Sequence, residues 1–312
     1  MASISTEWRD GVPVEILHIG ETRAEIHPGR GAALGRLCLQ MGSSARDIAS
    51  DWTSEGATNP RYRGALLLPW PNRIAGATYR FRGKDYQLAV TEPQRGHALH
   101  GLLARAPFAV LRRHVGERSC SLTLEHIHGG TDPGFPFPFR AHVTWTLERH
   151  EVSLAIDVVN TGAGSMPFGF GWHPYFSLSG PIATQHLHIL ADAQYAANDA
   201  MIPTVLVHGD LDVGRGEPIG ERSFDTVYRL KPGTGRARTR LWQPGSGEGI
   251  ELWQETGPGK LNHLCVFVPP DRQSIALEPM SCAINAFNSG DGLRVLARGR
   301  HFRAAMGVTA SG

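Results

Sequence analysis

The sequence predicts an all-β protein built as a large β-sandwich. Apolar and polar residues alternate in many short runs, which is the period of a strand with one buried face. Gly, Pro, Asn or Asp separates many of these runs, and the 312 residues include 37 glycines and 21 prolines. Because strands do not alternate with helical patterns, a parallel α/β sheet is disfavoured, and antiparallel sheets stacked face to face are expected.

The strands are predicted one by one from these runs. In chain order they are VEILHI (14–19), LCLQM (37–41), TYRF (78–81), DYQLAV (85–90), CSLTLEHIH (120–128), HVTWTLE (142–148), VSLAIDVV (152–159), LHIL (187–190), LCVFV (264–268), SIALE (274–278) and FRAAMGV (302–308). YRFRGKDYQL (79–88) predicts a hairpin whose turn uses the positive φ of Gly83. ARDIASDW (45–52) predicts a short helix.

The chain is predicted to form a single domain over residues 1–312, since no fixed-period repeat and no low-complexity linker divides it. By length alone, one large domain and two closely packed halves both stay open. The polar stretch TGRARTRLWQPGSGEG (234–249) is interpreted as a solvated hairpin.

Charge and composition limit the classes of partner. The chain has 31 basic and 29 acidic residues, and no basic run carries interleaved aromatics, so a nucleic-acid partner is not expected. MASISTEWRDG at the start lacks the cationic and apolar regions of a signal peptide, and no run approaches the ~20 apolar residues of a membrane span. We therefore expect a cytoplasmic protein without membrane contact; the sequence does not indicate an oligomeric state.

The cysteines and histidines are residues of the sequence that could bind a metal ion. Cys38, Cys120, Cys265 and Cys282 show no C-x-x-C spacing and are predicted to be buried free thiols. Two histidine pairs, His126 with His128 and His186 with His188, each face one side of a strand. Neither pair has a carboxylate or thiol at a metal-motif spacing, so neither a metal nor a cofactor is predicted.

Polar side chains follow apolar runs at two points in the first third of the chain. LLLPWPNRIAG (66–76) ends a buried strand and then presents Asn72 and Arg73. RGHALHGLL (95–103) presents His97 and His100 in the same way. Both segments are expected to deliver hydrogen-bonding groups to the rim of a sheet.

Two further segments carry groups that can move protons. His173 lies among aromatics in GFGWHPYFSL (169–178), where a packed core histidine and a proton-transfer group are both open. Glu278 is expected to end the strand SIALE. Burial would raise the pKa of this carboxyl and an arginine partner would lower it, and the sequence leaves both alternatives open.

If these four segments meet, the resulting cleft suits a polyhydroxylated ligand. Arginine, amide and carboxylate groups, such as Arg73 and Asn72, hydrogen-bond pairs of sugar hydroxyls, while aromatic rings cover apolar C–H faces. A carboxylate with a nearby histidine adds proton transfer.

The segments NRI, LHG, GWHPYF and LEP, followed by NAFNSGDGL, resemble the aldose 1-epimerase (galactose mutarotase-like) family. The similarity runs from about residue 64 to residue 308, and the segments stand in family order with comparable separations. The resemblance implies a large antiparallel β-supersandwich with a sugar cleft in one face.

The resemblance also implies roles for individual residues. Glu278 matches the general base, His173 the general acid, His100 a second cleft histidine and Arg73 the sugar-binding arginine. Asp225 is the nearest candidate for a further acid that holds sugar hydroxyls.

Two positions depart from the family pattern. Thr226 stands where the family has a histidine, which leaves the preferred sugar open. Asn285 stands where many relatives carry aspartate, and we interpret this as a loop variation without chemical consequence.

The implied activity is that of a mutarotase, which interconverts the α and β anomers of a free hexose or related aldose through acid–base ring opening. Three alternatives stay open: a mutarotase for phosphorylated, sulfonated or carboxylated sugars, a noncatalytic sugar-binding module, and a hydrolase or lyase on a similar sandwich.

Overall fold

The computed structural model describes residues 1–49, 59–209, 211–233 and 235–311. Within these ranges the named strands pair antiparallel, which agrees with the predicted all-β supersandwich. Each of the predicted strands lies at least partly within an observed one. No helix in the described part of the chain is long and apolar enough to cross a membrane.

The N-terminal residues form a five-stranded meander. Its strands are β1 (Ala2–Arg9), β2 (Val12–Ile19), β3 (Thr22–His27), β4 (Ala33–Met41) and β5 (Ser44–Ala49). The predicted helix at 45–52 is wrong for residues 45–49, because β5 pairs with β4 in register Leu39↔Arg46. Residues 50–52 of that prediction lie outside the described residues.

A sheet of eight strands forms one wall of the molecule, in the order β11-β12-β13-β14-β27-β23-β22-β18. Its strands are β11 (Ala109–Val115), β12 (Ser119–His128), β13 (Phe139–Glu148), β14 (Glu151–Asn160), β18 (His186–Ile189), β22 (Gly235–Gln243), β23 (Glu248–Thr256) and β27 (His301–Ala310). β22 and β23 form the hairpin that was predicted around 234–249, of which residue 234 lies outside the described residues.

A second large sheet forms the opposite wall and carries the candidate site. It follows the order β20-β19-β21-β24-β25-β16-β6, with β17 also paired to β25. Its strands are β6 (Ala65–Leu67), β16 (Gly171–His173), β17 (Tyr175–Phe176), β19 (Ala191–Ala197), β20 (Pro203–His208), β21 (Asp225–Leu230), β24 (His263–Phe267) and β25 (Ile275–Met280).

Three two-stranded ribbons and a few short helices complete the description. The ribbons pair β7 (Arg73–Ile74) with β10 (Ala98–Leu99), β8 (Thr78–Phe81) with β9 (Lys84–Gln87), and β15 (Met166–Phe168) with β26 (Arg294–Leu296). The helices are α1 (Ala286–Ser289) and the single 3-10 turns Ala75–Ala77, Ile182–Thr184 and Asp212–Gly214. The β8–β9 ribbon is the predicted hairpin, and both turn residues, Arg82 (φ 50°) and Gly83 (φ 80°), are left-handed.

Trp145 shows how the sheets share one core. It lies on β13, and its ring meets that of Trp172 on β16 at a centroid distance of 5.5 Å. Its indole N–H donates to the carbonyl of Ala32, next to the N-terminal sheet. Because neighbouring residues of a strand face opposite sides, Trp172 points into this core while His173 points away from it. Packing of Trp172 therefore fixes the direction of His173.

Glu278 occupies a different position in its strand from the one predicted. β25 continues past Glu278 through Pro279 to Met280, so the carboxylate lies inside the strand and not at its end. β25 continues beyond Glu278 because β24 pairs with its residues 276–280, with Cys265 opposite Glu278 and Leu264 opposite Pro279.

Candidate active site

One cavity of about 290 Å³ brings together six of the candidate residues that the sequence indicated, while His97 lies outside it. Asn72, Arg73, His100, His173, Asp225 and Glu278 line it. Its remaining walls are mostly aromatic, proline and aliphatic side chains together with one further arginine: Pro60, Arg61, Tyr62, Leu99, Tyr175, Phe267, Pro269 and Pro270. The residues come from segments up to about 200 positions apart, and the sheets join them.

Asn72 and His100 hold each other through the backbone. The His100 N–H donates to the Asn72 carbonyl at 2.9 Å, and the Asn72 N–H donates to Nδ1 of His100 at 3.3 Å. Since Nδ1 accepts this bond, the neutral imidazole carries its proton on Nε2. Burial and the neighbouring His173 lower the pKa of His100 well below its usual value. His100 is therefore a neutral N–H donor on the cavity wall.

Several cavity residues adopt left-handed backbone conformations that are unusual for residues other than glycine. The φ angles are 56° at Tyr62, 55° at Asn72 and 62° at His100. Such conformations cost on the order of 1–2 kcal/mol each and persist only where surrounding contacts impose them. Their concentration here indicates a site that is built to a fixed shape.

The turn after His100 requires glycine. Gly101 has φ 73°, and a Cβ there would lie 2.3 Å from the carbonyl oxygen of Leu68. The N–H groups of Leu102 and Leu103 both donate to that same carbonyl. A larger residue at position 101 would thus push the His100 segment away from the cavity floor.

His173 and Glu278 form a buried pair on the cavity wall. Nε2 of His173 lies 3.5 Å from Oε1 of Glu278, and the two residues are 5% and 2% exposed. Burial raises the pKa of Glu278 to about 8, with the charge of Asp225 acting in the same direction. Burial lowers the pKa of His173 to about 3. At neutral pH the pair of the free protein therefore holds one titratable proton, and the proton is on the carboxyl group.

This arrangement decides the alternative that the sequence left open for Glu278. No described arginine forms an ion pair with it, and among the described residues no hydrogen-bond partner is recorded for Oε2 of Glu278 or Nδ1 of His173. Buried polar atoms without partners are uncommon in folded proteins. Both atoms are buried, and each has unused hydrogen-bonding capacity beside the cavity.

Aromatic rings fix the imidazole of His173. The ring of Tyr175 stacks on it at a centroid distance of 5.0 Å with an interplanar angle of 5°. The His100 ring meets it edge-on at 5.1 Å. The guanidinium of Arg63 lies over the Tyr175 ring, 4.5 Å from its centre. The imidazole is thereby confined to one plane.

Arg73 is held by a carboxylate that the sequence did not point to. Nε and Nη2 of Arg73 donate to the two carboxylate oxygens of Glu92 at 2.8 and 3.0 Å, and Arg95 donates to the same group at 2.8 Å. Although burial acts to raise the pKa of Glu92, these bonds lower it overall. Nη1 of Arg73 lies against Oδ1 of Asn72 at 3.3 Å. Glu92 was missed although it follows the predicted strand DYQLAV (85–90) by two residues, a position that could have indicated it.

Asp225 begins β21 and stands opposite Phe267 on β24. Burial raises the pKa of its carboxyl group, an effect that the charge of Arg73 partly offsets. Asp225 lines the same cavity as Arg73, and its carboxyl group is the second one in the cavity wall, after that of Glu278. Thr226, the next residue, is turned away from this cavity and lines a separate depression.

Other candidate residues lie outside the cavity. His97 accepts a bond from the Gly76 N–H through Nδ1 and pairs with the Ala200 carbonyl through Nε2, which makes it a structural residue. Three histidines of the two pairs, His126, His128 and His186, each form a hydrogen bond with a backbone carbonyl. In the described ranges, no group of three His, Cys, Asp or Glu side chains has a metal-binding arrangement.

The cysteines are free thiols, as predicted, and three of them are buried. Cys38 is the exception and is half-buried. Cys265 lies directly opposite Glu278 in the β24–β25 ladder, and burial raises the pKa of its thiol well above the usual value. It is a protonated neighbour of the carboxyl group and not a thiolate.

Comparison with known proteins identifies the family of the chain. The profile of the family described as aldose 1-epimerase matches residues 17–309. The Escherichia coli K12 protein YihR is 30% identical over 255 residues, which cover 77% of this chain and 76% of YihR. Human galactose mutarotase is 28% identical over 168 residues, covering 53% of this chain and 45% of the human protein.

A solved structure shows the same fold. The galactose mutarotase-like protein of Clostridium acetobutylicum superimposes with a TM-score of 0.87 at 16% identity, covering 100% of this chain and 99% of that one. The fold is thus the galactose mutarotase-like sandwich. The family match extends over most of the sequence, and the chain belongs to the aldose 1-epimerase family.

Proposed function

We propose that the protein is an aldose 1-epimerase, a mutarotase that interconverts the α and β anomers of a free hexose or related aldose. The observation that carries this proposal is the buried His173–Glu278 pair, which lies 3.5 Å apart on the wall of a sugar-sized cavity and holds one mobile proton. Family membership supports the same chemistry.

Mutarotation needs one proton acceptor and one proton donor at the same carbon. Ring opening removes the proton of the anomeric hydroxyl and adds a proton to the ring oxygen, and both oxygens are bonded to C1. The pair has the required total of one proton between pH values of about 3 and about 8, which include the neutral range.

The cycle follows from the position of that proton. When the sugar enters, its hydroxyl groups solvate the pair, and the proton passes from Glu278 to His173 to form a carboxylate and an imidazolium. Glu278 then accepts the anomeric hydroxyl proton, the C1–O bond of the ring breaks, and His173 donates its proton to the ring oxygen. The product is the open-chain aldehyde with a protonated Glu278 and a neutral His173, which is the protonation state of the pair in the free protein.

Closure reverses these transfers on the other face of the aldehyde. After rotation about C1–C2, His173 takes the proton of the ring-forming hydroxyl, that oxygen attacks C1, and Glu278 returns its proton to the carbonyl oxygen. His100 supports both directions as a neutral Nε2–H donor toward charge on the anomeric or ring oxygen.

Three side chains orient the sugar through its other hydroxyls. Arg73 and Asp225 offer a donor and an acceptor across the cavity, and the amide of Asn72 stands beside Arg73. Their contribution is orientation, which converts weak hydroxyl contacts into a defined position of C1 relative to the pair.

The charge balance supports an uncharged aldose over a phosphorylated, sulfonated or carboxylated one. Both arginines on the cavity wall already face carboxylates, Arg73 with Glu92 at 2.8 Å and Arg61 with Asp271 at 2.6 Å. Asp225 adds a further acidic group to the cavity wall. An anionic substituent would have to compete with these existing partners.

The test is the rate of anomer interconversion, followed by polarimetry on pure α anomers of glucose, galactose, arabinose and anionic hexoses. Glu278→Gln is expected to lower kcat by about 10²–10⁴-fold, the usual contribution of a general base. Glu15→Gln makes the same change at a buried carboxylate outside the cavity and is expected to keep the activity. A near-normal rate for Glu278→Gln would rule out its role as the base.

His173→Asn separates proton donation from packing. Asparagine hydrogen-bonds but donates no proton at neutral pH, so a loss similar to that of Glu278→Gln is expected. Retained activity would make His173 a core histidine. Exchange spectroscopy by NMR, with and without the wild-type protein, distinguishes a mutarotase from a noncatalytic sugar-binding module, because only the enzyme accelerates exchange between anomers.

A further inference from the structure

Asn285 contacts the strand that carries Arg73 without lining the cavity itself. It precedes the single-turn helix α1, on the loop that follows β25. Its backbone N–H donates to the Arg73 carbonyl at 2.8 Å. Its side-chain Oδ1 accepts a bond from the Ala75 N–H at 3.0 Å.

These two bonds have the pattern of a strand neighbour. In a parallel ladder, one residue donates its N–H to the carbonyl before its partner and accepts from the N–H after it. Asn285 does this around Ile74, with Oδ1 in the place of a main-chain carbonyl. The opposite edge of β7 pairs with β10, in register Leu99↔Arg73. A strand of only two residues is thus held on both edges.

Few residue types can make both bonds. Asn285 has φ 61°, a left-handed conformation that glycine, asparagine and aspartate adopt most readily. Of these, glycine lacks an acceptor, whereas asparagine and aspartate both supply Oδ1. Asn288 donates to the same Oδ1 at 2.8 Å and to the Thr78 carbonyl at 3.0 Å, which fixes the direction of the amide.

Sharp turns bound the strand β7 on both sides. Asn72 before it and Gly76 after it are both left-handed, with φ 55° and φ 61°, so the chain turns sharply at each end. Glu92 holds the guanidinium of Arg73, but only the backbone contacts fix where the side chain begins.

We infer that Asn285 is a positioning residue for Arg73, holding β7 so that the guanidinium meets the hydroxyls of the sugar. The inference rests on the proposed mutarotase function and extends it to a residue outside the cavity. It agrees with the interpretation that asparagine in place of aspartate has no chemical consequence at position 285, because each provides the same acceptor in the same backbone conformation, and it gives the residue itself a role.

The experiment compares Asn285→Gly with Asn285→Asp by polarimetry over a range of sugar concentrations. Asn285→Gly keeps the left-handed backbone and removes the acceptor, and we expect KM to rise about tenfold, as for the loss of one buried hydrogen bond, with kcat within about twofold of wild type. Asn285→Asp keeps the acceptor and is expected to restore a normal KM. Asn288→Ala keeps both bonds to β7 but removes the contact that orients the Asn285 amide, and it is expected to raise KM by less than Asn285→Gly does.

Combination with Arg73→Ala separates positioning from a general loss of structure. If Asn285 acts through Arg73, Asn285→Gly changes KM little once Arg73 has been removed. The same tenfold change in both backgrounds would overturn the inference, as would an unchanged KM in Asn285→Gly itself. If Asn285→Gly does not fold, Asn285→Ser, which has an acceptor on a shorter side chain, provides the comparison at smaller amplitude.

Failure of the proposed function gives a different result. A wild-type protein that does not accelerate anomer exchange refutes the mutarotase. The same variants are then compared by calorimetric sugar binding, where a tenfold rise in Kd for Asn285→Gly alone supports the positioning role and an unchanged Kd overturns it.

Discussion

Glu278→Gln should stabilise the folded protein at alkaline pH while it removes activity. In the unfolded chain the Glu278 carboxyl ionises at its ordinary value of 4.5, and in the folded protein burial raises its pKa to about 8. The folded state therefore holds one more proton than the unfolded state between these values. Stability falls as pH rises through this window and is constant above it.

The size of the effect follows from the width of the window. From 4.5 to about 8 is a difference of about 3.5 units, which at ~1.4 kcal/mol per unit gives a ceiling of about 5 kcal/mol in the free energy of unfolding. Between pH 6.5 and 8 the expected loss is about 2 kcal/mol. His173 does not contribute there, because burial lowers its pKa from 6.5 to about 3 and the loss of stability that this causes at low pH has disappeared above about pH 6.5. Glutamine fits the same space and does not ionise.

The assay is urea denaturation followed by tryptophan fluorescence at pH 6.5, 7, 7.5 and 8. The free energy of unfolding of Glu278→Gln, minus that of wild type, is expected to rise by about 2 kcal/mol across this range. Glu248→Gln is the control: burial acts to raise the pKa of Glu248, but the N–H of Ser179 lowers it overall, so its difference from wild type stays flat above pH 6.5. A flat difference for Glu278→Gln would refute the buried, protonated carboxyl group.

Three further predictions concern the His173–Glu278 pair, the ion pair between Glu92 and Arg73, and the turn at Gly101. At alkaline pH the value of kcat/KM should fall with a midpoint at about pH 8, where Glu278 loses the proton that it shares with His173. A midpoint near 6.5 would contradict a proton shared by the two residues. Glu92→Gln weakens the two hydrogen bonds that Arg73 donates to Glu92 and should raise KM for the sugar about tenfold with little change in kcat. An unchanged KM in polarimetry would show that Arg73 does not need Glu92 to bind the sugar. Gly101→Ala should lower the free energy of unfolding by more than about 3 kcal/mol because its Cβ meets a carbonyl oxygen at 2.3 Å, whereas Gly20→Ala, with φ 62° and open space, should cost about 1 kcal/mol by urea denaturation; equal losses would show that the backbone angle alone matters.

The strands could be predicted because they depend on local pattern. A strand with one buried face alternates whatever its partner, as in β13, where Val143, Trp145 and Leu147 are all fully buried. Residues 45–49, which form β5, were instead predicted as part of a helix. These residues form a strand since pairing with β4 satisfies their backbone, which outweighs a weak local preference for helix.

The candidate site could be predicted only as a set of residue types. Family order indicated Glu278, His173, His100 and Arg73, and the structure brings them to one cavity. Their protonation could not be predicted, since the pKa of a carboxyl group depends on burial and on charges that come from other strands.

The sequence by itself determined the all-β class, the eleven strands with clear alternation and the chemical types of the site residues, because alternation and side-chain chemistry are properties of short segments. Only the tertiary structure decided that Glu278 is protonated beside a neutral His173, that Glu92 holds Arg73, and that Asn285 meets Ala75 from 210 positions away. The physical reason is that burial, charge and hydrogen-bond distance act through space, and each of these contacts joins segments that become neighbours only when the sheets pack.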